Sequence, residues 1–271
     1  MLLIADAINK NNFSEAKDYL IKLENISNND TFEVIIKETL STYINLFLEK
    51  KIYKTKSDFG RLNLITESFQ QCYLNKKKSV QYFKALLENE EKDYSRYLFF
   101  YFLNLIENED FKTTKEISSK INTLNSNLIV YQSKKWIDSG KFSNFKEFFS
   151  CKNPKDLLSE FFFLVSNLYS SQELYSKSNF YMFVSNNLNK KFYFNNSLLA
   201  ENYFQNKNYV KTNFFLDKLK NDDYAYHWFK IKKKAEIIYN QKTMEQSIKY
   251  IESELSYYND PDNKILFDTA N

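Results

Sequence analysis

One short pattern recurs along this chain at a nearly constant interval, and any fold must accommodate that interval first. A polar turn is followed by an aromatic or large apolar residue and, three positions later, by a small one. The clearest copies are Asn12–Phe13 with Ala16, Asp110–Phe111 with Thr114 and Asn208–Tyr209 with Thr212. Leu174–Tyr175 with Ser178 and Thr243–Met244 with Ser247 are looser. Gly140–Lys141–Phe142 carries bulky Phe145 at the small position, and Lys76 with Ser79 is degenerate. The marks at 76, 111, 142, 175, 209 and 244 are separated by 35, 31, 33, 34 and 35 residues. Periods of this size come from stacked supersecondary units, each too small to bury its own apolar face.

The unit is helical. Before each mark runs a segment with apolar residues at helical spacing: 94–107, 157–170 and 193–205, the last with Leu199, Ala200, Tyr203 and Phe204 on one face. A second helical segment follows each mark, over 111–121, 175–188, 209–219 and 244–257. Only two glycines and two prolines occur in 271 residues, too few for hairpins or for the glycine-rich loops of nucleotide folds. Asn153-Pro154 and Asp260-Pro261 read as helix starts with proline at the first helical position. Thr243 with Gln246 reads as a capping box. Gly140 stands where a turn between helices needs a left-handed residue. The stretch 30–57 is irregular: a long first helix, 32–50, has almost no second.

These residues resemble the tetratricopeptide family. The best copy, Leu199-Ala200-x-x-Tyr203 followed by Tyr209, Thr212, Leu216 and Leu219, is similar to the family pattern of close-approach, packing and turn positions. Ser166, Tyr169, Tyr175 and Ser178 match it in the preceding copy, and Ala235, Ile238, Met244 and Ser247 in the following one. The segment 157–258, with Tyr226-His227-Trp228 opening a helix, also resembles longer tetratricopeptide proteins of alphaproteobacteria. The resemblance implies an all-α, right-handed α-α superhelical solenoid of helix-turn-helix repeats. Its units would be 1–25, 30–57 (degenerate), 60–90, 93–123, 126–150, 157–189, 192–220 and 225–258, with 262–271 starting another. Uncapped ends lead us to expect a window from a longer array. In the family the first helices line a concave groove that receives a peptide or helix. Carried over, the groove would present Phe163, Asn167, Ser197, Glu201, Phe204, Gln205, Lys232, Glu236, Tyr239 and Asn240, a mixture suited to backbone hydrogen bonding and apolar anchoring.

Little in the chain carries other chemistry. His227, the single histidine, has no paired acid or nucleophile placed near it in sequence and is expected to pack. No phosphate loop, HExxH or GxSxG occurs, so no catalytic residue, metal or cofactor is expected. Cys72 and Cys151 lack zinc-ligand spacing and are expected to be ordinary packed thiols. The acidic pairs Glu90-Glu91 and Asp222-Asp223 read as turns and caps. The basic runs 76–78 and 230–234 read as solvated faces. A net charge of +4 from 38 basic and 34 acidic side chains is short of a nucleic-acid footprint. The apolar run 97–106 is too short to span a membrane. The expectation is a protein- or peptide-binding scaffold. Its alternatives are a nucleic-acid-binding helical repeat or a non-catalytic subunit of an envelope enzyme complex, with the compartment open between cytoplasm and periplasm.

Overall fold

A computed structural model of the chain describes residues 1–24, 31–74, 78–88 and 96–270. Lys76, Lys77, Glu90 and Glu91 fall outside the described residues. Sixteen α-helices and a 3-10 turn make up the regular structure of the described residues. The first eight are α1 (Leu2–Asn9), α2 (Phe13–Glu24), α3 (Thr31–Glu49), α4 (Arg61–Tyr73), α5 (Ser79–Leu87), α6 (Arg96–Glu107), α7 (Phe111–Ser119) and α8 (Leu128–Asp138). Next come α9 (Ser143–Phe148), α10 (Pro154–Ser170), α11 (Tyr175–Leu188) and the turn Tyr193–Asn195. The last five are α12 (Asn196–Gln205), α13 (Tyr209–Leu216), α14 (Tyr224–Gln241), α15 (Met244–Leu255) and α16 (Asn263–Ala270). Packing is mostly between successive helices: α1 on α2, α4 on α5, α10 on α11, α12 on α13 and α14 on α15.

The turn that precedes the marks is the same local structure repeated. Asn11, Glu109, Gly140, Glu173 and Lys207 all have φ between 56° and 69°, and each lies two residues before a sequence mark. At four of them the following N–H reaches back five residues: Asn12 to Ala7, Lys141 to Trp136, Leu174 to Tyr169 and Asn208 to Tyr203, at 2.8–3.0 Å. The left-handed residue itself bonds three residues back, at 2.8–3.0 Å. This is a Schellman closure, which satisfies carbonyls the helix end leaves open. The next helix starts at once, because the residue before the mark caps it. Asn12, Asp110, Asn208 and Thr243 accept the N–H three residues on, at 3.1–3.2 Å.

The small position is buried in every described copy: Ala16, Ser79, Thr114, Phe145, Ser178, Thr212 and Ser247. Serine and threonine substitute for alanine with their hydroxyls hydrogen-bonded. Ser178 pairs with Ser166, Ser247 donates to Ala235, and Thr114 and Thr212 donate one turn back, to Asp110 and Asn208. Packing recurs too. Tyr169 stacks on Tyr181 and Tyr203 on Phe215, both at 5.5 Å between centroids. Lys177 and Lys211 lie over the first ring of each pair, at 5.2 and 5.0 Å.

By internal contacts the chain divides into two compact units, each assembled from two separate segments: 1–108 with 145–192, and 109–144 with 193–271. In the first unit α1 packs on α10 and α11, and α3 on α10. Its core is aromatic: Phe100 lies 5.0 Å from Phe69 and 4.8 Å from Phe149, and Phe99 packs on Phe145 and Phe192. Helix α6, the longest apolar run, is buried on all sides here. Its one buried amide, Asn104, donates to Ser79 Oγ at 3.1 Å and lies 3.6 Å from Cys72 Sγ. The expectation of packed thiols is corrected: Cys72 and Cys151 form a disulfide, with Cα atoms 5.6 Å apart across 79 residues. Sequence spacing carries no trace of a pairing made by tertiary return.

In the second unit α8 packs on α14. Buried Gln132 accepts the Ala225 N–H at 2.9 Å, and Phe194 stacks on Tyr226 at 4.2 Å. Helix α16 docks on α14, with Ile265 buried against Trp228, Ile231 and Tyr258. Its start differs from the expected Asp260-Pro261 cap. Asp262 Oδ1 accepts the N–H groups of Lys264 and Ile265, while its Oδ2 is held by Tyr131 and Lys135, both at 2.6 Å. Those two contacts orient the carboxylate toward the helix end. Among the described residues no helix is long and apolar enough to cross a membrane.

Candidate functional site

Phe163 and Asn167 belong to the first unit, on α10; the other eight expected groove residues belong to the second, on α12 and α14. Asn167 is exposed. Phe163 is not a vacant anchor, because the Arg96 guanidinium lies 3.5 Å from its ring centre. Arg96 in turn makes two 2.8 Å hydrogen bonds to buried Glu160. Burial pushes the Glu160 carboxyl up and Arg96 opposes the shift. The first unit also carries an apolar slot that the groove assignment omits. It is lined by Phe32, Ile35, Leu62, Phe161, Leu164 and Leu168 among others.

In the second unit the expected residues converge on a side chain that sequence reasoning passed over, Lys233. It is almost wholly buried, and its ammonium lies 3.0 Å from Glu201 on α12 and 2.6 Å from Glu236 on α14. The Phe204 ring lies beneath it at 4.2 Å, packed in turn on Tyr209. Gln205 donates to Glu201 at 2.7 Å. Ser197 instead turns inward, bonding the Phe194 carbonyl at 2.8 Å. Lys232 pairs with Asp268 at 3.1 Å, which also accepts from Trp228 Nε1. This leaves Gln205, Tyr239 and Asn240 exposed, Tyr239 at 58%, on the helices that hold one lysine between two carboxylates. The i,i+3 spacing of Lys233 and Glu236 is the signal the sequence offers for this pair.

That reading of 230–234 is corrected. Lys230 and Lys234 both pair with Asp217, at 3.7 and 2.8 Å, and burial lowers the Lys230 pKa. With Lys232 and Lys233 also paired, a run that looks cationic in sequence is locally neutralised. His227 is buried, its Nδ1 3.0 Å from the Tyr258 hydroxyl; burial and then Lys230 lower its pKa. Asp223 stands at the start of α14, but its carboxylate makes no capping bond there; it is buried, accepts from the Tyr193 hydroxyl, and has its pKa raised by burial. Among the described residues no group of three His, Cys, Asp or Glu could hold a metal ion. Compared with protein-family models, curated proteins and solved structures, the chain finds no match.

Proposed function

We propose that the chain is a non-catalytic scaffold of tetratricopeptide-type helix pairs, read within each unit as turns of a right-handed α-α superhelix, that binds a partner protein. The partner, a peptide or a helix, lies across the faces of α12 and α14. The observation that carries this reading is the ridge of Gln205, Tyr239 and Asn240 on two successive first helices. It offers amides for a peptide backbone and an exposed amphipathic ring for an anchor. The Glu201–Lys233–Glu236 cluster gives that ridge a fixed base, since its buried lysine ties the two helices together. The recurrent Schellman turns and caps support the repeat assignment.

The test is affinity capture with the wild-type chain and a Gln205→Ala/Tyr239→Ala/Asn240→Ala variant, each checked for unchanged helical circular dichroism. We expect partner recovery to fall at least tenfold in the variant. Undiminished recovery of every partner refutes the groove assignment.

A second reading, a non-catalytic subunit of a cell-envelope complex, is favoured by the buried Cys72–Cys151 disulfide, since such bonds persist in oxidising compartments. The nucleic-acid alternative loses its best sequence candidate, because the lysines of 230–234 are taken up by carboxylates.

A further inference from the structure

The first unit contains an open cleft of about 500 Å3 whose lining includes none of the residues assigned to the groove. Three segments meet there: the end of α1 at Asn9, the 146–156 stretch from α9 into α10, and 187–191 at the end of α11. Its lining holds four lysines, 146, 155, 190 and 191, against two carboxylates, Glu147 and Asp156. Lys146, Lys190 and Lys191 are exposed. Among the described residues none of the four lysines forms an ion pair, unlike those of 230–234. Lys155 is anchored, donating to the Asn9 carbonyl at 2.8 Å, so one cation has a fixed position.

The floor is prearranged by internal hydrogen bonds. Asp156, 8% exposed, accepts from the Ser150 N–H and the Asn153 amide, both at 2.9 Å. Asn189 donates to the Phe148 carbonyl and accepts from the Lys191 and Phe192 N–H groups. The Asp156 carboxylate is therefore engaged from within. Burial also pushes its pKa up to about 6, against Lys191 and Lys155, which pull it down. The remaining lining is amide and hydroxyl, with Leu188 the single apolar side chain and no aromatic ring.

We propose that this cleft binds a compact polyhydroxylated anion, a phosphorylated sugar or polyol. Clustered ammonium groups recognise phosphate as point charges, and the side chains of Asn9, Asn187 and Ser150 suit hydroxyls. Nucleic-acid strands are disfavoured, because single-strand binding relies on aromatic platforms for the bases. The size suits a ligand of a few sugar or phosphate units. The phosphate chemistry can come from a free metabolite or from a lipid headgroup. The site is independent of the α12/α14 ridge, so each can fail without the other.

The experiment is titration calorimetry of the full chain with inositol hexakisphosphate, and with fructose 1,6-bisphosphate as a smaller probe, at low and at physiological salt. Phosphatidylinositol 4,5-bisphosphate vesicles test the headgroup source, and a 12-nucleotide RNA tests nucleic acid. We expect one-to-one binding of a phosphorylated polyol that weakens with salt. Lys146→Ala/Lys190→Ala/Lys191→Ala should reduce it at least tenfold. A control triple, Lys112→Ala/Lys120→Ala/Lys242→Ala, should change it less than twofold. The milder Lys190→Ala/Lys191→Ala variant, with a wild-type melting profile, should show an intermediate loss. Vesicle binding competed by the soluble polyol assigns a headgroup source; soluble binding without vesicle binding assigns a free metabolite. The proposal is overturned if neither polyol binds, if the control triple loses as much as the cleft triple, or if RNA alone binds in a lysine-dependent way.

Discussion

The guanidinium of Arg96 lies between the carboxylate of Glu160 and the rings of Phe163 and Phe192, 3.5 and 5.4 Å away. The Glu160 side chain is 1% exposed and that of Arg96 15%, so both charges have left bulk water. Such a pair is costly to break and cheap to replace, because removing one member strands the other without solvent. Arg96→Met should therefore lose about 3–5 kcal/mol of unfolding free energy. Arg96→Met/Glu160→Met should recover most of that loss. Urea unfolding of the four members of the cycle measures it; a double variant as unstable as the sum of the singles would contradict the account. The contact joins residues 64 apart, and a sequence pattern that places Phe163 in a groove has no means of showing Arg96 on top of it.

At the scale of elements, successive helices are joined by a turn whose chemistry is local and repeated. Only Gly140 meets the φ > 0 requirement without a steric penalty; Asn11, Glu109, Glu173 and Lys207 adopt the same conformation with a Cβ. A Cβ added at Gly140 would have nothing within 4 Å, so its cost there is conformational alone. Gly140→Ala should destabilise by about 1 kcal/mol, while Lys207→Gly should stabilise by roughly 0.5–1 kcal/mol. Thermal unfolding of the two variants gives opposite shifts on this view, and shifts of the same sign would contradict it. The period and the caps at Asn153 and Thr243 were legible because each depends on residues within four positions. Asn12, Asp110 and Asn208 read only as polar turns, and their capping bonds came with the structure. The left-handed turns were legible only at glycine, since no side chain announces that Glu173 or Lys207 will adopt the same φ.

At the scale of the whole chain, each unit is assembled from segments that are not consecutive. In the first, 1–108 and 145–192 are tied covalently by the disulfide, one cysteine at the end of α4 and the other just before α10. A cross-link closing a loop of that length restricts the unfolded chain strongly, by about 3–5 kcal/mol in the chain-entropy account. We expect peptide mapping under non-reducing conditions to recover Cys72 linked to Cys151. Cys72→Ser/Cys151→Ser should unfold at lower denaturant by that order. Free thiols in protein prepared under oxidising conditions would remove both the bond and the support it gives to an envelope location.

The sequence by itself determined the helices, the burial of the small positions and the pairing of α1 with α2, α4 with α5, α10 with α11, α12 with α13 and α14 with α15. All of these rest on hydrogen bonds and side-chain contacts within one helix pair, so amino-acid spacing records them. The expected pairs in 93–123 and 126–150 are divided between the two units. Tertiary structure alone decided which pairs meet. Gln132 reaches Ala225 across 93 residues, Tyr131 reaches Asp262 across 131, and Lys155 reaches Asn9 across 146. It also turned a cationic run into a neutralised one, by bringing Asp217, Glu201 and Asp268 against its lysines. The lysines around the cleft at 146–156 and 187–191 kept no such partners. A lysine in sequence is only a charge; whether it is a buried tie or an open site depends on which carboxylates the fold places beside it.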